Sequence, residues 1–129
     1  MTEQLQLLTI AQYLGWEPCE PRVFVRHAPS HAFMYKGAYY GGLNSLPRYT
    51  EDLNLMHEVE KTLTNREAGD YDAWLWIIIK RDWEVNRDNN ARITTWHATA
   101  AQKVEAFLRV KGLWVRDAED KTEPPNDHE

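Results

Sequence analysis

Apolar positions recur with a helical period in several stretches of this chain, and between them short β-branched and aromatic runs are bounded by turn residues. Leu7, Ile10, Ala11 and Leu14, widened by Leu5 and Leu8, predict a helix over residues 3–14, with Gly15 as its left-handed cap and Trp16 packing back over its end. Residues 46–58 and 98–108 read as complete amphipathic helices. In the first, residues 44–47 form the entry loop and Thr50 is placed to accept from the exposed amides of the first turn. Glu51 and Asp52 suit the positive end of the dipole, and Tyr49 and Leu53 brace the cap. Leu53, Met56, Val59 and Leu63 share one side with Glu60, and burying each apolar member is worth roughly 1.5–3 kcal/mol. Leu53→Asp is accordingly expected to cost more than any surface change there.

The second helix opens on Thr99 with Gln102 three residues on, the reciprocal pattern in which each side chain satisfies an amide that the helix cannot. Ala100, Val104, Phe107 and Leu108 form its stripe and Gly112 ends it, after which Leu113 and Trp114 fold back as a short strand or an apolar latch. Toward the N-terminus, Pro18 and Pro21 rule out regular structure until Arg22. Residues 23–25 and 32–35 have strand composition, and Lys36-Gly37 predicts a hairpin turn into residues 38–40. Residues 65–69 break the helical pattern, leaving Asp70 or Asp72 to cap the next element. Over residues 71–85 the run Trp74 to Ile79 suits a strand by composition, while Tyr71, Trp74, Leu75, Ile78 and Ile79 suit a helical face. Length and the polar ending favour helix. Residues 92–96 read as a further short strand.

A length of 129 residues, 43% hydrophobic and 27% charged, is that of one ordered domain, assigned to residues 1–116. The net charge of −5 sits in the tail, residues 117–129, where six acids face Lys121 alone and nothing offers itself for burial, so the tail is expected to be disordered. The body is neutral, which disfavours extended nucleic-acid contact. Cys19 is the single cysteine, so no disulfide framework or thiolate metal site is available. The N-terminus has neither the basic start nor the apolar run of a signal peptide, and residues 73–79 are too short an apolar run to span a bilayer. A cytoplasmic setting, without membrane contact, is expected.

Candidate chemistry is sparse. His57-Glu58 lacks the second His one turn later that a helical zinc hydrolase needs, because position 61 is Lys, and His57 with Glu60 or Lys61 reads as a polar helix edge. A site joining His27, His31 and His97 is a remote alternative. Cys19 lies between prolines with no positive helix end beside it, and no nucleophile elbow or phosphate-cradling glycine loop is present. Glu58 with Glu60, and Asp70 with Asp72, are two residues apart and diverge on a helix. A small hydrolase would need a constellation assembled in three dimensions, and neither cofactor nor metal is implied. Binding has more support: six Trp and six Tyr exceed what a small core readily hides, and several neighbour arginines. Tyr40, Arg48, Tyr49, Arg92, Trp96 and His97 are the candidate contacts to a partner protein or to a nucleotide-like ligand, with oligomerisation open.

Leu46-Pro-x-Tyr-Thr-x-Asp-Leu-Asn-x-Met-His-Glu-x-Glu-Lys-Thr-Leu63, Ala98-Thr-Ala-Ala-Gln-Lys-Val-Glu-Ala-Phe-Leu-Arg109 and the closing Gly112-Leu-Trp114 resemble the phage ABA sandwich domain family, as does the opening helix with Leu14-Gly-Trp16. The resemblance spans most of residues 1–116; residues 27–42 and 74–79 depart from it. It implies an α/β (α+β) fold, a three-layer α/β/α sandwich with a small mixed or antiparallel sheet, and a phage or prophage protein working in a bacterial host's cytoplasm. Family members are mostly of unknown function, so no catalytic residue carries over. The expected role is non-enzymatic binding of a partner protein or small ligand, as an accessory or counter-defence factor, with nucleotide or small-anion sequestration as the alternative.

Overall fold

The computed structural model describes residues 1–22, 29–86, 98–118 and 120–125, with the side chains of 85 and 86 excepted. The protein has a small α+β fold of helices and an antiparallel three-stranded sheet, in two compact units, Thr2–Arg48 and Tyr49–Glu129, the latter also taking in Met1. The strands expected at residues 23–25 and 92–96 lie outside the described residues.

In the N-terminal unit, α1 (Glu3–Tyr13) starts at Thr2, whose hydroxyl accepts from the Leu5 amide at 3.2 Å, and ends as expected, with the Trp16 amide reaching back to the Ala11 carbonyl at 3.0 Å. Leu7, Ile10 and Ala11 are buried. The strands β1 (Glu17–Cys19), β2 (Ala32–Tyr35) and β3 (Ala38–Gly41) form a meander in that order. The turn between β2 and β3 places Lys36 at φ 50° and Gly37 at φ 81°, the double left-handed conformation of a tight hairpin turn, which a glycine adopts without strain. Residues 17–19 correct the expectation that the prolines forbid regular structure here. Pro18 sits in β1, which is an edge of this sheet, where a missing amide leaves no ladder bond unmade.

In the C-terminal unit, α2 (Leu53–Glu60) begins later than the sequence suggests. Asp52, not Thr50, is the cap: its Oδ1 accepts from the amides of Asn54 at 2.9 Å and Leu55 at 3.3 Å, while residues 49–51 form a turn and Thr50 is buried. Met56 and Val59 are buried, but Leu53, in the first turn, is 45% exposed, which overturns the expectation that it anchors the core. Residues 71–85 are helical, as favoured, within a longer α3 (Asn65–Asn86). The earlier start has a local cause. Thr64 Oγ1 accepts from the Glu67 amide at 3.2 Å and Glu67 returns the bond to the Thr64 amide at 3.0 Å, a capping box that carries the helix through Gly69 and leaves Asp70 and Asp72 exposed within it rather than capping it.

Helix α4 (Ala100–Val110) has the expected Thr99–Gln102 capping box, and its stripe of Ala100, Val104, Phe107 and Leu108 is buried. It packs against α3, whose Tyr71, Leu75, Ile78 and Ile79 are buried, and also against α2, and Lys103 and Glu105 are buried with the stripe. Gly112, at φ 71°, lets the Leu113 amide return to the Leu108 carbonyl at 2.8 Å, and the segment beyond is a latch rather than a strand. The tail does find partners: Thr122 is buried and Asp120 is bound by side chains of the helical unit. No helix among the described residues is long and apolar enough to cross a membrane.

Candidate functional site

Strand pairing puts Phe33 opposite Tyr40 and Pro18, and Tyr35 opposite Ala38, so their side chains share one face of the sheet. Trp16, two residues before Pro18, joins that face as the chain leaves α1. Its indole stacks on Tyr35 with centroids 4.4 Å apart and planes 2° from parallel, meets Phe33 edge-on at 6.4 Å, and carries Tyr40 tilted at 5.0 Å. Such pairs contribute about 0.5–1.5 kcal/mol each beyond area burial. Trp16 and Phe33 are buried, whereas Tyr40 is 37% exposed. The Lys36 ammonium stands 5.4 Å from the Tyr35 ring centroid, which places a cation at the border of the exposed aromatic surface. On the other face, Arg22 covers Tyr39 at 4.6 Å and its amide donates to the Tyr39 hydroxyl at 2.8 Å.

The C-terminal unit contains two networks of ionised side chains. Arg81 makes a two-pronged bond to Glu105, Nη1 to Oε2 at 2.7 Å and Nη2 to Oε1 at 2.9 Å, and donates from Nε to Asp82 at 2.9 Å and from Nη1 to Thr122 Oγ1 at 3.0 Å. Its hydrogen bonds to Glu105 raise the Arg81 pKa further. Arg109 donates to Glu105 at 2.9 Å and to Asp120 at 2.7 Å, with its guanidinium 4.9 Å from the Trp74 ring centroid and 4.8 Å from that of Trp114. Asp120 also accepts from the Trp114 indole at 3.1 Å and the Thr122 amide at 2.9 Å. Burial alone would push this carboxyl up, but the Thr122 amide, Arg109 and Trp114 outweigh it and hold Asp120 well below the usual carboxylate range.

In the second network Glu60 accepts from the Tyr71 hydroxyl at 2.8 Å and from Lys103 Nζ at 3.2 and 3.3 Å, with His57 Nδ1 3.2 Å away. Burial, with the bond to Glu60, drives the Tyr71 phenol far above the tyrosine range. Separately, Lys111 reaches Glu67 at 2.7 Å; with the Thr64 amide it lowers the Glu67 pKa.

These carboxylates are committed to donors within the fold. They act as structural ties: Asp120 and Thr122 fasten the tail to Arg109 and Arg81, and Glu60 with Lys103 joins α2 to α4. Among the described residues, no group of three or more His, Cys, Asp or Glu side chains is placed to hold a metal ion.

The residues singled out in the sequence are dispersed. Tyr40 is on the aromatic face and exposed; Arg48 is exposed in the same unit and donates to Asn44 at 3.2 Å. Tyr49 belongs to the C-terminal unit and is only 6% exposed, so its ring is core rather than contact surface. Arg92, Trp96 and His97 lie outside the described residues, as does His27. His57 is at a polar helix edge, as expected, and Glu58 pairs with Lys61 at 2.8 Å.

Sequence reasoning missed Trp16, Tyr35 and Lys36 as the neighbours that hold and border Tyr40, and missed both ionic networks. One signal was available: Glu60 falls on the apolar side of α2, and Glu105 and Arg109 are one turn apart on α4. A carboxylate on an apolar stripe requires a buried partner. Comparison with known proteins gives no relative: no family model, curated protein or solved structure matches the chain.

Proposed function

We propose that this chain is a non-enzymatic binding protein of phage or prophage origin, acting in the bacterial cytoplasm as an accessory or counter-defence factor. Its contact surface is the exposed edge of the aromatic face of the N-terminal unit, at Tyr40 and Lys36. The observation that carries this reading is Tyr40, held against Trp16 at 5.0 Å yet 37% exposed, beside a Trp16–Tyr35 stack bordered by Lys36. A fixed aromatic ring with a cation nearby loses little conformational freedom on binding, and this combination anchors protein interfaces. The phage origin is supported by the strings over residues 46–63, 98–109 and 112–114.

Lys36 beside Tyr35 also favours a second reading, in which the same face takes a nucleotide, a base stacking on Tyr40 and a phosphate meeting the ammonium. Thermal shift with purine and pyrimidine nucleotides separates the two. A rise in Tm that grows with nucleotide concentration and disappears in Tyr40→Ala selects the nucleotide reading. A bacterial protein retained by the wild-type chain but not by Tyr40→Ala or Lys36→Glu selects the partner reading. If every interaction detected is indifferent to both substitutions, the aromatic face is not the contact surface. A gene position among prophage genes tests the origin.

A further inference from the structure

Helix α3 has 22 residues, about 33 Å at the standard rise, and buries one side through Tyr71, Leu75, Ile78 and Ile79. Away from that side runs a row spaced by four, Ala68, Asp72, Trp76, Lys80 and Glu84, every member of which is exposed. Trp76, at its centre, is 46% exposed. Trp76 thus presents a large, half-exposed ring in the middle of a solvated row that carries charges on both sides of it.

The charges around it have a particular symmetry. Asp72 is one turn before Trp76 and Lys80 one turn after, and neither makes an ion pair among the described residues. Rows spaced by four are the ridges that interdigitate in the commonest helix packing, at a crossing angle of about −50°. A two-fold axis through Trp76 lays two copies of this ridge side by side in opposite directions, so position 76+n meets position 76−n. Asp72 of each copy then faces Lys80 of the other, twice over; Trp76 meets its own mate; Glu84 meets the small Ala68. A parallel arrangement would set Asp72 on Asp72 and Lys80 on Lys80.

The geometry points to a second copy of this chain as the occupant of the exposed α3 ridge, in an antiparallel two-fold pair centred on Trp76. The ridge is self-complementary in one direction only, which is the condition for a closed homodimer. Contact along one row of one helix falls at the small end of specific interfaces, below about 1,200 Å², so self-association is weak, with a Kd on the order of 10–100 μM.

Sedimentation equilibrium of the full chain, with reductant present to keep Cys19 from cross-linking, tests this across two decades of concentration around that Kd. The expected result is a mass rising from the 15.2 kDa monomer toward the dimer. Trp76→Ala weakens association at least tenfold. Asp72→Lys and Lys80→Asp each weaken it severalfold, and the double exchange returns it to within about twofold of wild type because the pairing is reversed rather than removed. All these positions are exposed, and unchanged far-UV circular dichroism verifies the fold. A monomer at every concentration, a dimer indifferent to Trp76→Ala, or a double exchange no better than the single reversals would each overturn the proposal.

Discussion

Replacing Glu105 with Gln keeps the shape of the side chain and removes one negative charge from between two guanidinium groups. The Glu105 side chain is 10% exposed and that of Arg109 4%, so this half of the network is nearly dry, while Arg81, at 35%, reaches water. Glu105 accepts two bonds from Arg81 and one from Arg109. Removing one partner of a buried pair costs about 3–5 kcal/mol, mostly because the remaining charge is left uncompensated. Here the lower end applies: Arg109 keeps Asp120, Arg81 keeps Asp82, and the Arg81 contribution is reduced by solvent screening. The expected loss is about 3 kcal/mol, or roughly 10–15 °C in Tm for a chain of this size. Urea unfolding followed by circular dichroism should show a lower midpoint with an unchanged slope, since the native surface is the same. Arg81→Met with Glu105→Leu should cost less than Glu105→Gln, because it removes the Arg81 guanidinium together with its main carboxylate and fills the space with apolar volume. A Glu105→Gln loss below about 1 kcal/mol would refute the view that these bonds carry stability rather than decorate the surface.

Phe107→Ala, at a fully buried position, should cost about 3–5 kcal/mol, whereas Leu53→Asp, 45% exposed beside the α2 N-terminus, should change stability by less than about 1 kcal/mol in the same urea assay. The Asp120 pKa is lower folded than unfolded, so its contribution is complete above the ordinary aspartate value and is lost as pH falls through the folded one; stability should decline below about pH 4, and less steeply in Asp120→Asn. Tyr71 has the opposite sign: its pKa is raised, its contribution is present below the unfolded value, and stability should fall above about pH 10. Absorbance at the phenolate band should show Tyr71 silent until the protein unfolds, and Tyr71→Phe should remove that part of the alkaline decline.

Where structure follows from neighbours in the chain, the sequence was legible. The Thr99–Gln102 box, the Lys36-Gly37 turn and the glycine closures after α1 and α4 are decided within a few residues, and each is found where the pattern places it. Errors arose where two local signals competed. Thr50 and Asp52 can both cap, and Asp52 does because its carboxylate reaches two amides while the turn at residues 49–51 delays the helix. Residues 65–69 read as a break, but the reciprocal bonds of Thr64 and Glu67 start the helix there, and Gly69 is carried inside it at a cost of about 1 kcal/mol.

The ionic networks were out of reach for a different reason. Periodicity assigns charged residues to water, which is right for the Asp72 to Lys80 ridge and wrong for Lys103 and Glu105, because α4 packs against both α3 and α2 and has too little open face left to expose them. Once those charges are enclosed, elementary electrostatics requires partners, and the fold brings them from 43 positions away at Glu60 and 24 at Arg81. The acidic tail gains its role from the same requirement. Arg109 lies 4% exposed between two indoles, and Glu105 is shared with Arg81, so a second carboxylate is needed nearby. Asp120 provides it, and Asp120 and Thr122, which composition marks as solvated, are thereby held by the charge balance of the core.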